Sequence, residues 1–349
     1  MNERGGARVA LLDEGDIALR ASRGNFALVW VQGKGAGMPE YAAWTRNSAR
    51  RWPELAAHLE AETGIDVALR QPGGFSFALS DEEMARRVEG MRHLHNQPDP
   101  TPYEALDHAE TKRRLPLIGE GVAGSIYCPL DGHVNSLRLF RALHAALAAR
   151  GVVYRPNAPV ADIAARGGGF ALSGPWGEVR ARKVVIAAGL GNARLGALVG
   201  LDVPVRPSKG QVIVTEKVAP FLHHPTGTIR QTDEGGVMVG DSQEDLGLDT
   251  AVANPVAATM AERAVRVFPL LASLNVVRTW SALRVMSPDG FPIYAQSTSH
   301  PGAFAVTCHS GVTLAANHAL EVAPHILAGD LPGALEPFSP ERFRVPQAA

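Results

Sequence analysis

The chain has 349 residues, of which 46% are hydrophobic and 20% charged, enough for a sizeable core and too little charge for a disordered polyelectrolyte. The 34 Lys and Arg against 35 Asp and Glu give a net charge of -1, which leaves no basic footprint for nucleic acid. Two cysteines, Cys128 and Cys308, exclude a disulfide framework and any four-cysteine metal site. At roughly 100–200 residues per domain, the length suggests two domains or one α/β body with an insertion. The opening MNERGGARVALLDEGD has no apolar secretory core and no cleavage site. The longest apolar runs, such as ALVWV and KVVIAAG, are far below the ~20 residues that span a bilayer. The expectation is a cytoplasmic protein, with peripheral membrane contact left open.

Arg8–Asp13 (RVALLD) is a short apolar run ending in an acid, the pattern of a buried parallel strand. Gly5 and Gly6 before it suit the left-handed end of a helix, whose own residues the sequence does not contain. Residues 14–37 are turn-rich, with five glycines. Tyr41, Trp44, Ser48, Trp52, Leu55 and Leu59 recur at helical spacing and predict a helix over 39–62, with Pro39 in its first turn. Strands are expected at 66–69 and 74–79. A helix at 81–95 opens on Ser80 with Glu83 three residues later, a capping-box pattern. A loop over 96–103, a helix near 104–114 and a strand near 123–127 follow. Ser136–Arg150 carries a strong helical period that Gly151 stops. VVY and VADIAA read as strands, RGGGFALSGPWGEVRA as a hairpin, and KVVIAAG as a second buried strand. Strand patterns recur at 203–216, 226–231 and 236–240. A helix at 255–268 precedes a strand at 276–285. Strands at 292–295 and 303–307 lead to a helix from about Gly311 to Leu327. No internal repeat stands out. This interleaving predicts an α/β nucleotide-binding body in discontinuous segments, with a mostly antiparallel α+β domain inserted.

Five pieces carry candidate chemistry. Asp13 ends the first strand, where an acid accepts hydrogen bonds from a ribose, or simply faces water. In RASRGN, Arg20, Ser22, Arg23 and the amides around Gly24 and Asn25 suit phosphate oxygens, or form an ordinary polar loop. KVVIAAGLGN empties a strand into Ala187, Ala188 and Gly189, leaving room for a flat ring or a phosphate; the same pattern suits a plain strand-to-helix turn. Arg284 in WSALRVMSPDGFP ends an apolar strand. A buried arginine needs an anionic partner, either a substrate carboxylate or a structural one. Cys308 and His309 precede Ser310, Gly311, Val312 and Thr313, which open a helix whose first-turn amides would face the space above the sheet. No metal-ligand spacing is present: the chain has no H-x-x-x-H and no CxxC.

Taken in order, these pieces resemble the D-amino-acid oxidase family of FAD-dependent oxidoreductases. Within it they look like glycine oxidase, hydrogen cyanide synthase subunits, and opine or D-hydroxyproline dehydrogenase β-subunits. VALLDEGD looks like the second strand with its ribose acid, and ASRGN like the loop against pyrophosphate and flavin. DGHVNSLRLFRAL is similar to a G-x-V-x-P segment, with Asn135 where Pro is common. PVADI resembles the strand whose backbone meets adenine, at Val160. VVIAAGLGNARL is similar to VVLAAGAWS, with Leu190 and Gly191 in place of Ala-Trp. RPSKGQ, GGVMVGDSQEDLGLD, WSALRVMSPDGFPI and CHSGVTLA complete the series.

The resemblance implies a Rossmann-like FAD-binding domain over 1–65, 130–205 and 285–349, and a substrate-binding domain over 66–129 and 206–284. It implies non-covalent FAD, since Leu283 and Arg284 stand where relatives with covalent flavin carry a cysteine. It implies hydride transfer from the α-carbon of an amino or imino acid, with Arg284 on the substrate carboxylate. FAD contacts are implied at Asp13, Ser22, Arg23, Gly24, Asn25, Val160, Ala188, Gly189, His309, Ser310, Gly311, Val312 and Thr313. Other dehydrogenase subunits are implied as partners. The departure is the missing first strand with its G-x-G-x-x-G, expected about 20 residues before the ribose acid. It is read as a late start or a truncated chain; the alternative is a degenerate, FAD-poor scaffold subunit. Tyr294 replaces the more usual Ile-Gly pair near the flavin. Phe75, Phe77 and Tyr127 are expected in the core or lining the substrate pocket. Oxidase and dehydrogenase are not separated by these motifs.

Overall fold

The computed structural model describes residues 6–15, 21–22 and 24–344. Two parallel ladders are present among the described residues. Ala10–Leu12 pairs with Val153–Arg155. Val184–Ile186 pairs with Ala303–Thr307, whose other edge carries Ile293–Gln296 antiparallel. Among the described residues no ladder joins these two pieces. The expected first strand is therefore parallel but not buried: Leu11 is 41% exposed. The physical reason is that only one of its edges is paired, while Leu11 and Leu12 face a large cavity. Gly6 takes φ +59°, the left-handed conformation expected of a helix end.

The long helix Pro39–Thr63 opens on its proline and closes on Gly64 at φ +68°. Its buried face includes the set read from the spacing, Tyr41, Trp44, Ser48, Trp52, Leu55 and Leu59, and adds Ala42, Thr45, Arg46 and Ala49. The helix Ser136–Ala149 is capped by Asn135, whose Oδ1 accepts the amides of Leu137 and Arg138 at 3.1 Å each. In the helix Asp81–His95, Ser80 accepts the Glu83 amide at 3.2 Å. Glu83 returns to the amide of Leu79 at 3.1 Å rather than to the cap residue.

The second region is antiparallel. One sheet runs Ile229–Gln231, Gly236–Val239, Arg206–Lys217, Val276–Met286. In it Ser208 lies opposite Arg284 and Gly210 opposite Ala282. A second sheet holds Gly74–Ala78, Gly124–Cys128 and Glu104–Asp107. The two share one core with helix Asn254–Val267, through Phe75, Phe77, Leu106, Ile213, Val239 and Val267. Burial of such side chains contributes about 1.5–3 kcal/mol each. Asp162–Arg166, Gly169–Gly174 and Gly177–Ala181 form a three-stranded meander.

Three further expectations are corrected. Residues 66–69 are not a strand: Ala68 takes φ +53°, and its amide donates to Asp66 Oδ1 at 2.6 Å. That local turn competes with a ladder. The expected helix near 104–114 divides into the strand Glu104–Asp107 and the helix His108–Arg114, because Asp107 and Glu110 cap the helix reciprocally. The C-terminal helix is irregular. Turns over 311–314 lead to an α-turn Ala315–Asn317, a π-turn His318–Val322 and the helix Ala323–Ala328. Pro324 has no N–H to give the preceding turn, which suits a local widening. Among the described residues no helix is long and apolar enough to cross a membrane.

Candidate active site

A cavity of about 2740 Å³ is lined by the ends of both parallel ladders and by the four-stranded sheet. It exceeds the roughly 300–1,000 Å³ of an ordinary small-molecule pocket and suits a dinucleotide with a substrate beside it. It gathers Asp13, Ser22, Gly24, Asn25, Val160, Ala188, Gly189, Arg284 and His309 with the turn Ser310–Thr313. Arg20 and Arg23 lie outside the described residues.

Local structure explains each placement. Asp13 donates its amide to the Arg155 carbonyl at 3.0 Å, and its Oδ1 accepts the Gly15 amide at 2.9 Å. Asn25 donates to the Ser22 carbonyl at 2.5 Å, while its Oδ1 is buried with no partner among the described residues. A Cβ on Gly24 would collide with that of Ala282, so the loop lies flat on the sheet. The Val160 carbonyl accepts Arg194 Nη2 at 2.6 Å. Gly189 takes φ +58°. Beside it Asn192 accepts the Ala188 amide at 2.6 Å and donates to the Val306 carbonyl at 3.4 Å. Asn192 thus ties the turn at Ala188 to the strand Ala303–Thr307, a role the motif reading missed.

The opposite turn is held from behind. Tyr41 donates to Ser310 Oγ at 3.1 Å. Thr313 Oγ1 accepts the Trp30 amide at 3.1 Å and donates to the Leu28 carbonyl at 3.2 Å. The amides of Gly311, Val312 and Thr313 have no acceptor among the described residues, the pattern of a first helical turn. Tyr294 is a core residue. Its hydroxyl accepts from Trp44 Nε1 at 3.0 Å and meets His318 Nε2 at 2.8 Å. Phe75 and Phe77 are core as well, at 0% and 5% exposure.

Arg284 reaches the cavity from the four-stranded sheet. Its Nη1 donates to the Ser242 carbonyl at 2.8 Å and the Lys209 carbonyl at 3.3 Å; Nη2 lies 3.9 Å from Asp241. Gly210 makes this possible, because a Cβ there would occupy the guanidinium position. Asp241 adopts φ +82°, a left-handed conformation that Asp tolerates and that clusters at functional sites. Enclosure in the fold pushes its carboxyl pKa up, against the pull of Arg284 and Lys34. Its side chain is 66% exposed, because it faces the cavity. His309 is pushed down to about 3, first by enclosure and then by Lys34 and Arg284, so its ring is neutral at neutral pH. Lys34, Asp241 and Gly210 were not singled out from sequence. The G-K-G pattern around Lys34 was the available signal.

These features fit FAD. Asn25 Oδ1 lacks a partner, three amides lack acceptors, and the small-residue turn Ala187–Gly189 leaves close approach open. A split α/β body around a dinucleotide-sized cavity, with an antiparallel sheet delivering an arginine to it, defines the class: a flavin-dependent oxidoreductase. The sequence model of the FAD dependent oxidoreductase family (DAO) matches residues 2–324, and the chain belongs to this family. It is 50% identical over 347 residues to a subunit of opine oxidase from Agrobacterium tumefaciens (strain Ach5), covering 99% of this chain and 94% of that protein. It is 28% identical to hydrogen cyanide synthase subunit HcnC of Pseudomonas aeruginosa, over 85% of this chain and 73% of that one. The crystal structure of glycine oxidase from Geobacillus kaustophilus is similar with a TM-score of 0.84 and 27% identity, covering 95% of this chain and 91% of the other.

Proposed function

We propose that this chain, loaded with FAD, oxidises the C–N bond of an amino or imino acid as one subunit of a heteromeric oxidoreductase. The observation that carries the reading is Arg284, a guanidinium anchored by two carbonyls and turned to the cavity. A planar cation so placed matches a carboxylate bidentately. Bound FAD supplies the acceptor for the hydride leaving the substrate α-carbon. The chain's own residues position and charge-match the substrate. Arg284 holds the carboxylate, and neutral His309 adds a ring nitrogen without adding a cation. The free amides over 311–313 offer partial positive charge to the electron-rich end of the cofactor.

Non-covalent attachment is part of the proposal. Cys128 is buried in the core, and burial pushes the Cys308 thiol up to about 12, so neither is an activated nucleophile. Residues 66–129 and 206–284 form the substrate side, and 1–65, 130–205 and 285–349 the FAD side. Glycine, D-amino acids, hydroxyproline and opines are the candidate substrates. The 50% identity to an opine oxidase subunit puts opines first, and the relatives named as subunits support a multichain assembly.

The test is anaerobic titration of the FAD-loaded protein, alone and with co-purifying chains. Bleaching of the flavin by one of these substrates is expected. Arg284→Ala is expected to lower kcat/KM by about 2–4 kcal/mol, mostly through KM. No bleaching by any amino or imino acid, with or without partners, would overturn the reading.

A further inference from the structure

One carboxylate needs one cation, and the cavity that holds Arg284 is lined by others, Lys34 among them. Lys34 lies between Gly33 and Gly35, which take φ +72° and +81°. A Cβ on Gly35 would collide with the backbone of Ala42, so the turn is pressed against the start of helix Pro39–Thr63. Just upstream, buried Asp131 accepts the Val31 amide and Gln32 Nε2, both at 2.6 Å. The backbone under Lys34 is therefore fixed on both sides, as a binding residue requires. Its side chain makes no hydrogen bond or ion pair among the described residues.

Lys34 lines the same cavity as Arg284, Asp241 and His309. The four interact: Asp241 and Arg284 act on Lys34, and Lys34 acts on His309 and Asp241. Burial pushes the lysine pKa down, as expected of an ammonium that lacks a partner. Asp241 does not balance the charge at this end. It faces Arg284, Lys34, Arg87 and Arg263, while the nearby Glu83 is taken by Arg263 through bonds of 2.9 and 2.6 Å. Glu244, which acts on Arg284, pairs with Lys209 at 3.4 Å, and Asp131, which acts on Lys34, is pushed up to about 7 by burial. The positive excess goes beyond what a single carboxylate neutralises.

We propose that Lys34 holds a second anionic group of the substrate, so that the site takes an amine carrying two carboxylates, one on Arg284 and one on Lys34. The inference rests on the reading of Arg284 as a carboxylate grip. It assigns a specificity to Lys34 that the motifs do not contain.

The test is calorimetric binding to the FAD-loaded full chain. Thiodiacetate and (methylthio)acetate carry sulfur in place of the amine and differ by one carboxylate. The wild-type chain is expected to prefer thiodiacetate by roughly 10- to 100-fold. Lys34→Gln is expected to bring that ratio close to one, and Lys34→Arg to retain it. No preference in the wild type, an unchanged ratio in Lys34→Gln, or loss of FAD from that variant overturns the proposal. Arg284→Gln serves as the control. Failure to weaken either ligand there would strike the proposed function itself, and is read separately from the Lys34 ratio.

Discussion

Gly210 carries more of the site than its size suggests. It needs no unusual backbone angle. What it provides is the absence of a side chain opposite Ala282, where the Arg284 guanidinium lies across the strand. Gly210→Ala would push the guanidinium off the carbonyls of Lys209 and Ser242, which hold it now. A shift of about 1 Å in a positioning group costs up to ~100-fold in rate. The expected outcome is a fall in kcat/KM of roughly 10- to 100-fold for a carboxylate substrate, with the flavin spectrum retained. Steady-state kinetics beside an absorbance spectrum check this. Wild-type kinetics in Gly210→Ala would mean that Arg284 does not need this channel. Arg284 and Lys34 differ in how far the sequence reveals them. Arg284 was legible because it ends an apolar strand beside a Ser-Pro-Asp-Gly turn. Lys34 was not, because a lysine on a glycine-rich loop has the local signature of a solvated one, and only tertiary assembly puts it beside Arg284.

The segment over 29–35 depends on one acid. Asp131 is fully buried, and burial raises its pKa to about 7 despite the bonds from Val31 and Gln32. In the unfolded chain it titrates near the ordinary carboxyl value of ~3.9. Between these values the folded state keeps a proton that the unfolded state has lost. Stability therefore falls as pH rises from about 4 to about 7, then levels off, by on the order of a few kcal/mol. Asp131→Asn removes the titration. Its carbonyl keeps the Val31 bond, but its NH2 faces Gln32 Nε2, which also donates to the Gly74 carbonyl at 3.1 Å, so the variant loses the Gln32 bond at every pH. Thermal midpoints across this range are expected to fall with pH in the wild type and to stay flatter in the variant, so that the gap between them changes with pH. Parallel curves would sink the assignment. Other elements were readable to differing depth. The helix Pro39–Thr63 was plain because its large side chains repeat at one spacing over its whole length. Residues 66–69 were misread because Val67 and Leu69 alternate like a strand, while Asp66 and the left-handed Ala68 make a turn. The π-turn His318–Val322 has no periodic signature of its own.

The molecule as a whole is organised around a cavity rather than a continuous sheet. Ala10–Leu12 with Val153–Arg155 forms one parallel piece, and Val184–Ile186 with Ala303–Thr307 the other, with no ladder between them among the described residues. Apolar surface stays open on the first piece: Leu11 is 41% exposed and Val153 52%. The cavity reaches from Asp13 through Ala188 to Thr313, so a ligand running its length touches both pieces and the four-stranded sheet. Such a ligand binds the folded chain and not the unfolded one. It therefore stabilises the fold by RT ln(1 + [L]/Kd), about 2.7 kcal/mol at a hundredfold excess over Kd. With the unfolding entropy usual for a chain of this length, that corresponds to a rise of about 4 °C in the thermal midpoint. The midpoint is expected to climb with the logarithm of free FAD. Amide exchange is expected to slow most at Leu11 and Leu12 and over 311–313, two segments that line the cavity. Midpoint and exchange measured across one FAD titration test both. A midpoint that ignores FAD while the flavin spectrum saturates would mean that FAD binds the unfolded chain as well, and exchange that slows at only one of the two segments would mean that the cofactor does not bridge the two pieces.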